Sequence, residues 1–299
     1  MSESLLDPPS LADADTADTF LSDESLDIPV TVIKRRAGMR FIDWRELVEY
    51  RDLYIFLSWR LIKVRYAQSA IGIGWAIIQP VCSMVIFTVI FGGFAKVSSD
   101  GVPYSIFSLA ALVPWTYFSN ALTDGANSLV SNANMITKIY FPRLLMPLSS
   151  ITAKLLDFAI ALMILAGMMI FYRMPPTFGV VMFPLLVLLM MMTAAGLGMW
   201  LTALAIQYRD VKHAMNFVVQ ILMYASPVVY ATSIIPEEYQ LLYAINPMVG
   251  VIEGFRSCLL ATRPMPWDLL AVGTVSSSLI ALSGAIYFRN KERLFADVA

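Results

Sequence analysis

Charge is scarce in this chain. Only 14% of its 299 residues are Asp, Glu, Lys or Arg and 58% are hydrophobic, whereas an ordinary soluble domain carries roughly 25% charged residues. A soluble globular enzyme is thereby excluded. Histidine occurs once, at His213, so an H-E-x-x-H zinc site is ruled out. With no G-x-S-x-G elbow beside it, Ser/His/Asp catalysis is set aside as well. The dipeptide Gly-Lys never occurs, and without it there is no G-x-x-x-x-G-K-[ST] loop to cradle nucleotide phosphates. No cofactor is therefore expected on this chain, and any ATP and Mg belong to a partner. The two cysteines, Cys82 and Cys258, sit in apolar surroundings and indicate neither a disulfide framework nor a metal site. Residues 1–29 lack Lys and Arg altogether yet hold eight of the 22 acids. Rich in Ser, Asp and Pro, with no apolar run, they are expected to form a disordered acidic tail and not a secretory signal. Nothing in the sequence reads nucleic acid.

What is present is a series of long uncharged runs. Nothing ionisable except Tyr and Cys lies between Arg65 and Lys96, Asp100 and Asp124, Arg173 and Arg209, His213 and Glu237, or Asp268 and Arg289. Each run can supply the roughly 20 residues that carry a helix across a hydrocarbon slab about 30 Å thick. A further segment, 147–172, is interrupted by Lys154 and Asp157. Three residues apart, these two are expected to pair on one helix face. An ionisable pair inside a span marks a functional site by default. Lys154 lies only about 10 Å of helix beyond Pro147, however, so its stem is expected to snorkel and the pair to be structural. The expected fold is an all-α membrane protein with six spans at about 71–95, 104–125, 147–172, 178–206, 213–231 and 268–288. With the N-terminus in the cytoplasm, 16 of the 21 Lys and Arg residues fall inside and Lys96, Arg173, Arg256 and Arg263 outside. The positive-inside rule thus sets the orientation, with both termini cytoplasmic.

Two segments depart from plain spans. Residues 30–66 precede the membrane domain proper (67–299). Over 43–68 of this stretch, Trp44, Val48, Ile55, Trp59, Ile62 and Tyr66 fall in one sector at 100° per residue, while Arg45, Glu49, Asp52, Arg60 and Lys63 occupy the adjoining one. This predicts an amphipathic helix lying in the membrane interface against lipid, with a break near Arg51. Residues 231–266 are apolar but divided by Asn246-Pro247 into pieces too short to span. Both flanks face outside, so a re-entrant hairpin over 236–261 is expected, carrying Tyr239, Glu253 and Arg256. Its backbone must be covered by protein or line a wet cavity. The alternative is a pair of helices flat on the outer surface with Glu253 and Arg256 solvated.

Aromatic residues are well supplied. Their faces stack on the apolar faces of sugar rings, so Trp75, Tyr104, Trp115, Tyr117, Phe118, Tyr224 and Tyr230 are candidates to line a glycan pathway. A membrane-interface belt is the other reading of the same residues.

Four motifs carry a resemblance. They are Arg65-Tyr66-Ala67-Gln68-Ser69-Ala70-Ile71-Gly72 with Trp75 and Pro80; Leu112-Val113-Pro114-Trp115-Thr116-Tyr117-Phe118-Ser119 running on to Tyr140-Phe141-Pro142-Arg143; Tyr208-Arg209-Asp210-Val211; and Ser226-Pro227-Val228 through Pro236-Glu237-Glu238-Tyr239 to Asn246-Pro247-Met248 and Glu253-Gly254-Phe255-Arg256. In these the chain, from about 44 to 293, resembles the type-2 permease subunits of ATP-binding-cassette exporters for O-antigen, capsular polysaccharide and teichoic acid. Ala67 and Ile71 depart from the family's usual basic residue and Leu. The resemblance implies a homodimer in the inner membrane with two copies of a separate ATPase beneath it and a lipid-linked glycan passing between the permeases. It assigns 44–63 to the interface helix (Trp44, Trp59, Arg60, Lys63), Tyr208, Arg209, Asp210, Val211 and Lys212 to coupling with the ATPase, and 236–261 to the outer gate. Six spans are few for a self-contained carrier built from two repeats, which independently favours a dimer. A drug or other small-molecule exporter permease is the alternative function.

Overall fold

A computed structural model describes residues 48–67, 71–132, 135, 141–208 and 210–292. The acidic tail, Trp44 and Arg209 lie outside the described residues. Within the compact unit Phe41–Ala299, the described residues form helices joined by turns, with no strand among them.

The first helix, α1, runs Arg51–Ala67 with Asp52 in its first turn and Arg65 in its last, each sign at the end the helix dipole favours. It begins where the sequence places a break. Its packing face is the one opposite the predicted apolar sector. Leu57 is buried, and Tyr50, Leu53 and Tyr54 pack with it against Leu145 and Met146. Val48, Ile55 and Trp59 stay about 60% exposed. The helix is thus apolar on two sides, one packed on protein and the other exposed within this chain.

Helix α2 (Gly74–Phe87) widens into a π-helical turn at Thr88–Phe94. Helix α3 (Tyr104–Ser131) is the central element, with most of its length buried. Helices α4 (Leu145–Ala153) and α5 (Leu155–Phe171) continue one another across a break at Lys154. A short 3-10 turn at Phe178–Met182 leads into α6 (Phe183–Gln207). Helix α6 packs closely on α10 (Trp267–Lys291). Small residues set that approach, since a Cβ on Gly196 would stand 2.7 Å from the Ala281 Cα. Close backbones with hydroxyl bonds between them are how helices adhere where water supplies no hydrophobic drive. Thr193 and Ser277 supply one such bond, Oγ to Oγ at 3.0 Å, and Trp200 stacks on Tyr287 with centroids 4.2 Å apart.

Four helical stretches are long and apolar enough to cross a membrane: Gly74–Phe94, Leu145–Phe171, Phe178–Gln207 and Trp267–Lys291. They coincide with four of the six expected spans. The two others differ for identifiable reasons. Over 104–125 the helix is there and is 28 residues long, but Ser, Thr, Asn and Asp dilute its apolar character, and its neighbours shield it. At 213–231 the helix α7 covers only Asp210–Tyr224, about 22 Å at 1.5 Å per residue. Turns follow, because Pro227 lacks an N–H and forces Ser226 out of the helical region.

Beyond those turns come α8 (Glu237–Tyr243) and α9 (Pro247–Leu260). Glu237 and Glu238 lie at the N-terminus of α8, where the dipole welcomes them. Asn246 caps α9, its side chain accepting from the Met248 amide at 3.1 Å, and Pro247 takes the first helical position. All fourteen residues of α9 are buried. Its backbone lies close to that of α10, where a Cβ on Gly250 would stand 2.9 Å from the Leu269 carbonyl oxygen.

Candidate functional site

A buried ion pair anchors the segment around α9. Arg256 is wholly buried and Glu253 nearly so, with Nη1 and Oε1 3.0 Å apart. The guanidinium needs more than one acceptor to offset its lost hydration, and it finds them in the turns after α7. Its nitrogens donate to the Val228 carbonyl at 3.1 Å and the Tyr230 carbonyl at 3.2 Å. Its carbon lies 3.6 Å over the Phe107 ring of α3, a cation–π contact. Glu253 accepts in turn from the Thr232 hydroxyl at 2.6 Å and its amide at 3.3 Å. Glu253 and Arg256 are therefore not solvated.

The turns are tied to the hairpin a second time. Asn246 Nδ2 donates to the Ala225 carbonyl at 3.0 Å and to Ser226 Oγ at 2.9 Å. Tyr230 bonds the Tyr243 hydroxyl at 2.9 Å and donates to the Tyr224 carbonyl at 3.0 Å. From α3, Tyr104 donates to the Val229 carbonyl at 2.6 Å. Tyr239 stays exposed.

A second charged cluster lies where α1 meets α3, α4 and α5. It corrects the sequence expectation that Lys154 pairs with Asp157. Lys154 sits at the break between α4 and α5, so the regular three-residue offset along one helix face does not apply. Its ammonium contacts Asp124 of α3 instead. Asp157 receives Arg65 Nη1 at 2.5 Å and the Tyr66 hydroxyl. Arg65 Nη2 reaches Asp124 at 3.1 Å, so the contacts run in an open series Lys154–Asp124–Arg65–Asp157, two cations and two carboxylates from α1, α3, α5 and the α4–α5 break. Burial and the bond to Asp157 push the Tyr66 phenol well above its usual range, so it remains a donor. A cavity of about 240 Å³ opens beside this network, lined also by Trp75, Gln79 and Asn120.

The pathway candidates divide. Trp75 and Tyr224 are exposed and Tyr230 is half-buried. Tyr104, Trp115 and Phe118 are instead packed in the core. Tyr117 is also buried, edge-on to Phe158 and donating to the Ile151 carbonyl at 3.2 Å, though it borders the cavity beside the charged network. In a membrane protein, aromatic content does not separate core from lumen.

At the turn between α6 and α7, Tyr208, Asp210 and Lys212 are exposed, while Val211 is half-buried against the core. On α1, Trp59, Arg60 and Lys63 are all exposed. The sequence reading missed Thr232, Asp124 and Arg65 as partners. Asp124 marked only the edge of an uncharged run, and its role arises from packing across helices.

Residues 52–260 match the ABC-2 type transporter family, and the chain belongs to it. It is a multi-pass membrane protein of a transporter family, a transport component and not a catalytic one. The O-antigen export system permease protein RfbA of Myxococcus xanthus is 29% identical over 256 residues, 85% of this chain and 97% of that protein. The protein of the same name from Klebsiella pneumoniae is 24% identical over 248 residues, covering 83% and 95%. The polysialic acid transport protein KpsM of Escherichia coli is 24% identical over 246 residues, covering 80% and 93%.

Proposed function

We propose that this chain is the permease subunit of an ATP-driven exporter that moves a lipid-linked cell-surface polysaccharide of the O-antigen class across the cytoplasmic membrane. The observation that carries this reading is the near end-to-end match to the Myxococcus relative, 97% of whose length is covered. Two copies face each other, each with six spans and cytoplasmic termini, above two copies of a separate ATPase that holds ATP and Mg. In support of a dimer, α2 and its π-helical extension keep an exposed face within one chain, Pro80 being their one buried residue. Phe217 and Ile221 of α7 are exposed too. These faces pair across the dimer, and Trp75 and Tyr224 beside them are the aromatics that meet the glycan.

Energy enters at residues 208–212 on the cytoplasmic side, where the exposed Tyr208, Asp210 and Lys212 rest on the ATPase, with α1 lying in the interface above them. The α8–α9 hairpin, dipping into the outer leaflet, is the gate, and the Glu253–Arg256 pair holds it shut against the turns after α7.

The test is depletion of the chain in its native cell. Lipid-linked glycan should accumulate on the cytoplasmic face and disappear from the surface, and wild-type protein should reverse both. Accumulation of a drug or other small molecule with surface glycan intact would sink the reading. Asp210→Ala separates coupling from folding: export should fall while membrane insertion and thermal stability stay as in wild type. Unchanged export would remove that turn from the coupling role.

A further inference from the structure

A groove of about 620 Å³ runs along α5 toward the start of α6, in the range of small-molecule sites. Leu162, Leu165, Ala166, Met169 and Ile170 line it, spaced by three, one, three and one residues, a single helical stripe. Leu165 and Met169 form the buried floor, and Ala166 and Ile170 the exposed wall. From Leu162 to the end of α5 at Phe171 the rise is about 14 Å, close to the roughly 15 Å depth of one leaflet's hydrocarbon. Just past that end stands Arg173, the one charged residue of the lining. It is exposed and has no partner among the described residues. An apolar slot one leaflet deep, with a lone cation at headgroup level, matches one molecular shape.

We infer that this groove seats a structural anionic glycerophospholipid of the phosphatidylglycerol type, one acyl chain along α5 and its phosphate on Arg173. The outer-leaflet assignment rests on the orientation proposed above.

The seat is joined to the gate. Leu259, in the last turn of α9, lines the groove. The loop that forms its upper edge is fastened to the same turn through Thr177, whose amide donates to the Cys258 carbonyl at 3.0 Å. The Thr177 hydroxyl donates to that carbonyl at 2.9 Å and to the Ser257 carbonyl at 3.2 Å. A lipid that fills the groove braces the C-terminal end of α9, so occupancy stabilises the closed hairpin. This brace lies at the opposite end of α9 from the Asn246 cap.

The test uses the full chain purified in detergent from vesicles of mixed phosphatidylethanolamine and phosphatidylglycerol, with retained lipid read by native mass spectrometry. Wild type should retain phosphatidylglycerol, and Arg173→Gln should retain about ten-fold less, the ratio for loss of one charge-assisted contact. Ala166→Trp, placed on the exposed wall so that the buried floor is untouched, should abolish retention. Adding phosphatidylglycerol should raise the unfolding midpoint of wild type and leave both variants unmoved. Equal retention of the two lipids, or variants that bind and respond like wild type, would overturn the site. Leaflet is read separately, with Arg173→Cys in a Cys82→Ser background. A membrane-impermeant thiol reagent applied to the outer face should label it. Labelling only from the cytoplasmic face would overturn the outer-leaflet assignment and the orientation beneath it, whereas lipid retention tests the groove itself.

Discussion

The two charged clusters carry no net charge, yet they are built in opposite ways. At the hairpin, Glu253 and Arg256 are buried within one chain, their side chains 6% and 0% exposed; their hydrogen bonds go to protein, and Glu253 borders a cavity of about 480 Å³. In the network around Arg65, Asp124 is 45% and Arg65 39% exposed, with Lys154 at 4%. That network is open to its cavity and joins α1, α3 and the α4–α5 junction through long side chains. A buried pair acts as a latch, because its parts cannot be left alone in a low dielectric. An open network acts as a hinge, because solvent takes over when an arm lets go. The segment around α9 is therefore expected to have two discrete states and the network around Arg65 to yield gradually.

The sharpest way to break this contrast is to remove half of the latch. Arg256→Ala strands the Glu253 carboxylate and leaves the Val228 and Tyr230 carbonyls without their donor. The expected loss is about 3–5 kcal/mol, read as a fall in the unfolding midpoint of the purified subunit and as impaired export. Glu253→Ala should do the same, and the double replacement should be milder than the two losses added. Additive losses, or singles that export normally, would mean the pair is no latch.

Next in size is Lys154→Met, which keeps the stem and deletes the charge. Asp124 loses one partner but keeps Arg65 and solvent, so about 1–3 kcal/mol is expected, less than at the latch despite similar burial of the cation. A loss equal to that of Arg256→Ala would erase the distinction between the clusters. Thr232→Val follows, at about 1 kcal/mol. It removes the hydroxyl donor to Glu253 while the amide of the same residue still donates, so the latch should loosen without opening. A loss of stability or export equal to that of Glu253→Ala would assign Thr232 a larger part than its one bond.

How far these sites are legible in sequence follows the same divide. The break at Asn246-Pro247 is written in local chemistry, as a capping side chain followed by a proline that starts a helix. Glu253 and Arg256 share an unbroken helix, so their three-residue spacing predicts their pairing. Lys154 and Asp157 have the same spacing and do not pair, because a helix break falls at Lys154 and the partners come from α1 and α3. Of the four helical stretches long and apolar enough to cross a membrane, three are legible as uncharged runs and Leu145–Phe171 as an apolar run interrupted by Lys154 and Asp157. The end of α7 is signalled by Ser226-Pro227, yet an absence of charge passes straight over it. Tyr104, Trp115 and Phe118 defeat a composition argument for a different reason. When the surroundings are lipid, an aromatic side chain is as much at home in the core as on the surface.

The smallest effect should come from Arg65→Gln, and it discriminates best by its dependence on salt. Arg65 bridges Asp157 and Asp124, but it is more than a third exposed, and Lys154 and Tyr66 still serve the two acids without it. A partly exposed ion pair contributes about 0–1 kcal/mol, and ions screen it over a length of roughly 10 Å at 0.1 M salt. The difference in unfolding midpoint between wild type and Arg65→Gln should therefore be small at low ionic strength and vanish as salt is raised. The deficit of Arg256→Ala should be indifferent to salt, because no ion reaches a fully buried pair. If salt erases both deficits, the hairpin pair is wet and the latch fails. If it erases neither, the network around Arg65 is as protected as the hairpin pair, and its cavity admits no solvent.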